Sequence, residues 1–92
     1  MRPISDMYLA AALLAYDVHL HSINQENPLR NEFNFEEKVK RVFVLENGGD
    51  IMVVENPSFN EVETFFIRRV LLFPPSYPDA IKRIKSAIHA KR

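Results

Sequence analysis

The chain has 92 residues, fewer than most domains, so we expect a single domain with one core over residues 1–92. It contains no cysteine, which excludes disulfides, thiolate metal sites and thiol redox chemistry, and which fits a reducing compartment. The formal net charge is zero, but residues 17–63 hold ten acids against four bases and residues 64–92 hold seven bases against one acid, a segregation that bears on partners rather than on fold.

The first predicted element is a helix that begins near Ser5. Ser5 is the expected N-cap, and Asp6 follows in the first turn, where the helix dipole favours an acid. The helix is apolar nearly all round, so we expect burial on more than one side, partly against a second copy of the protein. The apolar run from Met7 to Tyr16 is too short to cross a bilayer, and no signal peptide precedes it, so we expect a cytoplasmic protein with no membrane partner.

Apolar residues then recur at every second position. Val18 and Leu20 alternate with histidines, and Phe33 and Phe35 alternate with polar residues, on either side of a turn-rich stretch at residues 24–28. This pattern predicts an antiparallel hairpin. If the pairing is centred on the turn, Leu20 lies opposite Phe33 and Val18 lies opposite Phe35, with all four side chains facing the core.

A second hairpin is predicted around Asn47-Gly48-Gly49-Asp50. Two apolar runs rich in β-branched residues, at residues 39–45 and residues 51–54, flank this strong turn signal. A helix over residues 36–46 also fits the apolar spacing. We favour the strand, because Val-Phe-Val-Leu is a poor helix sequence.

The rest of the chain is predicted to be helical. Ser58 and Glu61 form a capping-box pattern, and the helix that they begin should bury a stripe through Phe73 before the prolines at 74–75 end it. Ser76 opens a last helix, whose isoleucines recur at helical spacing on one face. The fold class is therefore α+β: a helix, two antiparallel β-hairpins forming one sheet, then two C-terminal helices packed on one face.

Three segments resemble a small uncharacterised bacterial and phage domain family. They are Tyr8 to Ala15, Arg30 to Phe35 with its Phe-x-Phe, and Ile84-Lys85-Ser86-Ala87-Ile88. The resemblance implies a bacterial or prophage origin and an opening helix, a strand pair and a late helix. It implies no activity and transfers no functional residue to this chain.

The pattern nearest to a metal site is Asp17-x-His19-x-His21. Alternate positions on a strand place three side chains on one face, from which two imidazoles and a carboxylate can converge on a metal. The same pattern is typical of a solvated sheet face, so we expect no tight metal site and no cofactor. No nucleophile-elbow, Walker or dinucleotide motif is present, and we predict a non-enzyme with no small-molecule substrate. A metal-dependent enzyme at this face is the alternative.

An apolar, proline-rich corner precedes the last helix. Large apolar side chains around a helix break are difficult to bury in a domain of this size, and such patches mark interfaces. The interface candidates are Leu71, Leu72, Phe73 and Tyr77. They predict a protein-interaction module that self-associates, as a homodimer or larger homo-oligomer.

The last helix carries a row of basic residues. They recur at spacings of three, four and three, which places them on one side of the helix, and a row of this kind is sufficient for phosphate contacts. Its members are Lys82, Lys85, His89 and Arg92. The alternative function is therefore a nucleic-acid-binding accessory protein that uses this face.

Overall fold

A computed structural model describes residues 2–27, 30–36 and 39–90. Within these ranges the chain forms three α-helices and five β-strands, which confirms the α+β class. In chain order they are β1 (Arg2–Ile4), α1 (Met7–Ala15), β2 (Leu20–Asn24), β3 (Glu32–Phe35), β4 (Val42–Asn47), β5 (Asp50–Glu55), α2 (Phe59–Ile67) and α3 (Tyr77–Ala90). None of these helices is long and apolar enough to cross a membrane.

The strands form two antiparallel sheets, so the prediction of a single sheet is wrong. The first sheet has the order β1-β3-β2, and the second consists of β4 and β5. The three residues of β1 pair with β3 and occupy the edge at which the second hairpin would otherwise add. A strand of three residues is too short to show a period-two pattern, which is why the sequence does not predict it.

The first hairpin has a different register from the predicted one. Leu20 lies opposite Phe35 rather than Phe33, and a bulge between Leu20 and Ser22 shifts the pairing so that Ile23 lies opposite Phe33. A bulge adds a residue to one strand, so a register counted outward from the turn fails beyond it. The predicted facing of the two rings is correct, because Phe33 and Phe35 are 1% and 0% exposed.

Helix α1 is buried on nearly every side and packs against α3. Its N-cap is Asp6 rather than Ser5: the Asp6 carboxylate accepts hydrogen bonds from the N–H groups of Tyr8 at 2.8 Å and Leu9 at 3.2 Å. A charged carboxylate is the stronger acceptor at the positive end of a helix. The hydroxyl of Ser5 instead accepts from Arg30 Nε at 2.7 Å.

The second hairpin forms where it is predicted, and the alternative of a helix over residues 36–46 is wrong. Asn47 pairs with Asp50 across Gly48 and Gly49, which have φ values of 61° and 90°. Both values lie in the left-handed region that a two-residue hairpin turn requires. The strand begins at Val42, three residues later than predicted.

Helix α2 begins at the predicted capping box and ends earlier than predicted. The Ser58 hydroxyl accepts from the N–H of Glu61, and the Glu61 carboxylate accepts from the N–H of Ser58, both at 3.1 Å. The helix ends at Ile67, because Arg69 adopts a φ of 60°, so the prolines at 74–75 are not its terminator. Glycine usually occupies such a position, and an arginine there gives no signal in the sequence.

The core is shared by α1, the first sheet, one face of the second sheet and the buried sides of α2 and α3. Its largest fully buried side chains are Phe33, Phe35, Phe43, Leu13, Leu45, Ile84 and Val62. The isoleucine face of the last helix is buried as predicted at Ile84 and Ile88. Within this chain, Leu9 through Leu13 and Ala15 of the first helix are buried and Tyr8 is 50% exposed, so burial against a second copy stays a prediction.

Candidate interaction surfaces

The two edges of the β4–β5 hairpin differ. On the β4 side, Leu45 forms an antiparallel bridge with Leu71. Two backbone hydrogen bonds flank this bridge, from Glu46 N–H to the Val70 carbonyl at 2.7 Å and from Leu72 N–H to the Val44 carbonyl at 3.0 Å. Residues 70–72 therefore close the β4 edge like a short third strand. In the part of the chain that the structure describes, β5 pairs with β4 alone, so its other edge is open.

The ladder determines which backbone groups lie on the open edge of β5. The N–H of Asn56 donates to the Arg41 carbonyl at 3.0 Å, and the direction of hydrogen bonding alternates along an antiparallel strand. Even-numbered residues of β5 therefore bond to β4. The N–H and carbonyl groups of Ile51, Val53 and Glu55 point away from it, toward the open edge.

One side of this hairpin carries uncovered apolar side chains, together with the exposed acidic side chains of Glu46 and Glu55. Phe43 and Leu45 point into the core, so the residues that alternate with them point to the opposite side, as do their cross-strand neighbours. We call this side the outer hairpin face: Val42, Val44, Ile51, Val53 and Leu72. Of these, Val42, Ile51 and Val53 are 49%, 59% and 62% exposed. Adjacent exposed side chains of this size form the kind of patch that marks an interface.

The four predicted interface residues lie in three different places. Leu71 is buried in the core through its bridge to Leu45, and Leu72 lies on the outer hairpin face. Phe73 and Tyr77 stack with ring centroids 4.4 Å apart, at the start of α3. The structure therefore brings together only the last two, and it places Leu72 beside valines that the sequence analysis did not select.

We call the surface around the stacked rings the aromatic corner: Phe66, Ile67, Phe73 and Tyr77. Phe66 meets Phe73 edge-on with centroids 6.3 Å apart, beside a groove of about 500 Å³. Burial raises the pKa of the Tyr77 hydroxyl, and the carboxylate of Asp6 adds to the effect. Phe66 and Tyr77 are half-buried, whereas Phe73 and Ile67 are 46% and 68% exposed.

Tyr16 joins the first helix to the second sheet. Its hydroxyl donates to the Leu72 carbonyl, lies 3.3 Å from the Val44 carbonyl, and accepts from the Val44 N–H at 3.4 Å. Its ring stacks on Phe43 with centroids 4.2 Å apart. Burial raises the pKa of the Tyr16 hydroxyl, and the backbone hydrogen bond to Val44 partly offsets this. The outer strand position of Leu72 is thus fixed from inside the fold.

Asp17, His19 and His21 do not share a strand. Asp17 adopts a φ of 64° in the turn after α1, and β2 begins only at Leu20. The rings of His19 and His21 are exposed and meet edge-on with centroids 6.1 Å apart. Among the described residues, no group of three His, Cys, Asp or Glu side chains is placed to hold a metal. The absence of tight metal binding stays a prediction.

The basic row of α3 is exposed where the structure describes it. Lys82, Lys85 and His89 all point to solvent, and Arg92 lies outside the described residues. Lys82 also lines a groove between α3 and the start of β2, whereas Lys85 does not. The row is therefore divided between two environments.

Sequence reasoning missed the outer hairpin face, although a signal for it was present. The runs Val42-Phe43-Val44-Leu45 and Ile51-Met52-Val53-Val54 lack the polar alternation of a strand with one wet face. Strands that are apolar at consecutive positions are typical of sheets covered on both sides. The chain covers only one side of this hairpin.

Comparisons with protein-family models, with curated proteins and with solved structures found no match to this chain. The resemblance to a bacterial and phage family therefore rests on the three sequence segments alone. Function has to be argued from the surfaces of the molecule itself.

Proposed function

We propose that this protein is a non-catalytic interaction module that self-associates through its second hairpin, with β5 pairing antiparallel to β5 of a second copy. The observation that carries the proposal is the open edge of β5 beside the outer hairpin face. Monomeric proteins protect such edges with lysine, proline or a bulge, and β5 has none of these. A two-stranded sheet is also marginal alone and gains stability from further strands.

One register makes β5 complementary to itself. When Met52 lies opposite Met52 of the second copy, Ile51 of each chain lies opposite Val53 of the other. The backbone groups of Ile51 and Val53 are the ones that point to the open edge, so each of these pairs exchanges two hydrogen bonds. The outer hairpin faces of the two copies then adjoin and form one apolar surface.

The same register keeps acidic residues apart. Asp50 lies opposite Val54 of the second copy, and Glu55 lies opposite Gly49. A shift by one position would place Asp50 opposite Glu55, and it would also pair odd-numbered with even-numbered residues, whose backbone groups already bond to β4. In this register both acidic residues of β5 have an uncharged partner in the second copy, which supports self-association.

The register is tested with a single introduced thiol. The chain has no cysteine, so Met52→Cys creates a unique one. Directly opposed residues of a non-hydrogen-bonded pair lie about 4.5 Å apart at Cα, within the range that a disulfide spans. We expect mild oxidation to crosslink this variant into dimers. Val53→Cys is the control, because its two thiols lie on diagonal positions about 7–8 Å apart. Equal crosslinking of the two variants would exclude the register.

The surface is tested with a charge. Val53→Lys places an ammonium on the open edge, where we expect it to weaken self-association by at least about tenfold in sedimentation equilibrium. Ile67→Lys is the matched control, because Ile67 is 68% exposed and Val53 is 62% exposed. Loss of the oligomer in the Ile67 variant alone would transfer the interface to the aromatic corner. A wild-type chain that is monomeric at high concentration would refute the proposal.

A second candidate function, nucleic-acid binding, is favoured by the exposure of Lys82, Lys85 and His89 along one side of α3. Phosphate contacts make affinity fall steeply with salt, with a logarithmic slope of about 0.9 for each duplex phosphate neutralised. Apolar strand pairing responds little to salt. Salt-sensitive binding of a generic duplex, abolished by Lys85→Glu in a chain that is monomeric, would select this candidate over self-association.

A further inference from the structure

A groove of about 740 Å³ separates α3 from the turn between α1 and β2. Its volume lies in the range of small-molecule sites. It shares no lining residue with β5 or with the aromatic corner. Neither the proposed self-association nor the aromatic corner accounts for it.

The groove carries three cationic side chains: Arg41, Lys82 and Arg83. Two hydrogen bonds to the backbone orient the Arg41 guanidinium. Its Nε donates to the Asp17 carbonyl at 3.1 Å, and its Nη1 donates to the Lys40 carbonyl at 2.8 Å. A guanidinium oriented in this way loses less conformational entropy when it binds an anion. Lys82 and Arg83 form no ion pair with any residue that the structure describes.

Acidic groups near the groove are fewer than the cations. The lining includes one carboxylate, Asp17, and also the imidazole of His19. Glu36 lies in a neighbouring small cleft with His19 and Arg41. Among the residues that the structure describes, three lining cations against one lining carboxylate leave the groove positive, so it attracts an anion.

The rest of the lining is aliphatic. Leu14, Leu20 and Ala87 are half-buried in the groove wall, and Ile84 and Val18 lie beneath them. No aromatic side chain other than the imidazole of His19 lines the groove, so it offers little for the stacking of bases. An aliphatic wall with a cationic rim suits a ligand that has an alkyl body and one anionic end.

We propose that this groove binds an amphiphilic anion, an alkyl chain that ends in an oxyanion head group. The head group lies against Arg41, Lys82 and Arg83, and the Ser86 hydroxyl adds a hydrogen-bond donor on the same wall. The chain covers Leu14, Leu20 and Ala87. The site lies apart from the proposed self-association: Arg41 adjoins the second hairpin on the β4 side, and none of these residues lies on the open β5 edge.

The test is an NMR titration of the full-length protein with octyl phosphate below its micelle concentration. We expect saturable amide shifts at Leu20, Ser86 and Ala87. Two partial ligands are the controls: inorganic phosphate has the charge without the chain, and octanol has the chain without the charge. Because both parts of the ligand contribute, octyl phosphate should bind at least about tenfold more tightly than either. Equal binding of inorganic phosphate, or of octanol, would overturn the proposal.

Charge reversal on one helix provides the second arm. The double variant Lys82→Glu, Arg83→Glu should lower the affinity for octyl phosphate by at least about tenfold. Lys85→Glu is the matched control, because Lys85 is equally exposed on α3 but does not line the groove. A loss of the same size in the Lys85 variant would show that the basic row attracts anions without a groove, and the proposal would fail. All three positions are exposed, so we expect the variants to fold.

Discussion

The two sheets of this molecule differ in how many of their faces the chain covers. In the first sheet, Phe33 and Phe35 of β3 are buried, and the alternating residues between and beside them are polar. In the second sheet, Phe43 and Leu45 of β4 are equally buried, but the opposite side is largely apolar: apart from Glu46 and Glu55, it carries exposed Val42, Ile51 and Val53 and half-buried Val44. The same core therefore supports one sheet with a polar outer side and one with an apolar outer side.

The second hairpin therefore carries apolar side chains that the folded chain leaves exposed. A polar outer side, as on β3, is the usual solution for an antiparallel sheet that faces water. The outer hairpin face departs from it at Val42, Ile51 and Val53, where a polar residue would fold equally well. In the proposed dimer, Ile51 and Val53 contact their counterparts across the open β5 edge, which covers part of this apolar surface.

The largest effect should come from comparing one buried ring with one outer side chain. Phe35→Ala opens a cavity among fully buried neighbours and should lower the free energy of unfolding by about 3–5 kcal/mol in urea titrations. Ile51→Ala, measured at concentrations where the chain is monomeric, should change it by less than about 0.5 kcal/mol. If Ile51→Ala lowered the free energy of unfolding as much as Phe35→Ala, the outer side of the second sheet would be as important to folding as the core.

The turn of the second hairpin gives a smaller effect. Gly49 has a φ of 90°, and a Cβ there would meet no heavy atom within 4 Å, so Gly49→Ala is penalised by backbone strain alone. We expect a loss of about 1–2 kcal/mol in the free energy of unfolding. Gly48→Asn is the matched control, because Gly48 has a φ of 61°, which asparagine tolerates. Equal losses in the two variants would contradict the turn geometry.

The smallest effect is a pH dependence that arises where the first helix meets the second sheet. Burial raises the pKa of Tyr16 in the folded protein, so above pH 10 the unfolded chain loses its proton first. Stability is therefore fully present below pH 10 and falls as the pH rises through and above it. Tyr16→Phe should flatten this decline in thermal melts taken across the alkaline range. Burial also raises the pKa of Tyr77, which contributes to the same decline in stability at alkaline pH. An unchanged slope in the Tyr16 variant would show that its hydroxyl is not the group responsible.

Local signals in the sequence were sufficient for several elements. Asn47-Gly48-Gly49-Asp50 predicts the second hairpin because two consecutive left-handed residues are needed there, and Ser58 with Glu61 predicts the start of α2 because the two side chains cap each other. The burial of Phe33 and Phe35 follows from the alternation of apolar and polar residues along the strand. Each of these features depends on residues close together in the chain.

Other features depend on distant residues and could not be predicted. β1 exists because Arg2–Ile4 meets β3, and the bulge near Ser22 changes a register that the turn alone does not determine. Leu71 and Phe73 continue the helical spacing of α2, yet they follow Arg69, whose positive φ ends the helical path. Leu72 joins the outer hairpin face only when residues 70–72 close the β4 edge, so its place there could not be predicted.

The closing of that β4 edge also has a consequence for the order in which the protein is made. A hairpin forms within microseconds once its residues are free. Residues 56–72, which include the segment that covers β4, are added afterward at about 5–20 residues per second, so the nascent hairpin waits for about one to three seconds. During synthesis both of its edges are open. The ribosome thus exposes β4 briefly and β5 lastingly, and a chaperone that delays pairing until Leu72 has emerged would protect the first edge without hindering the second.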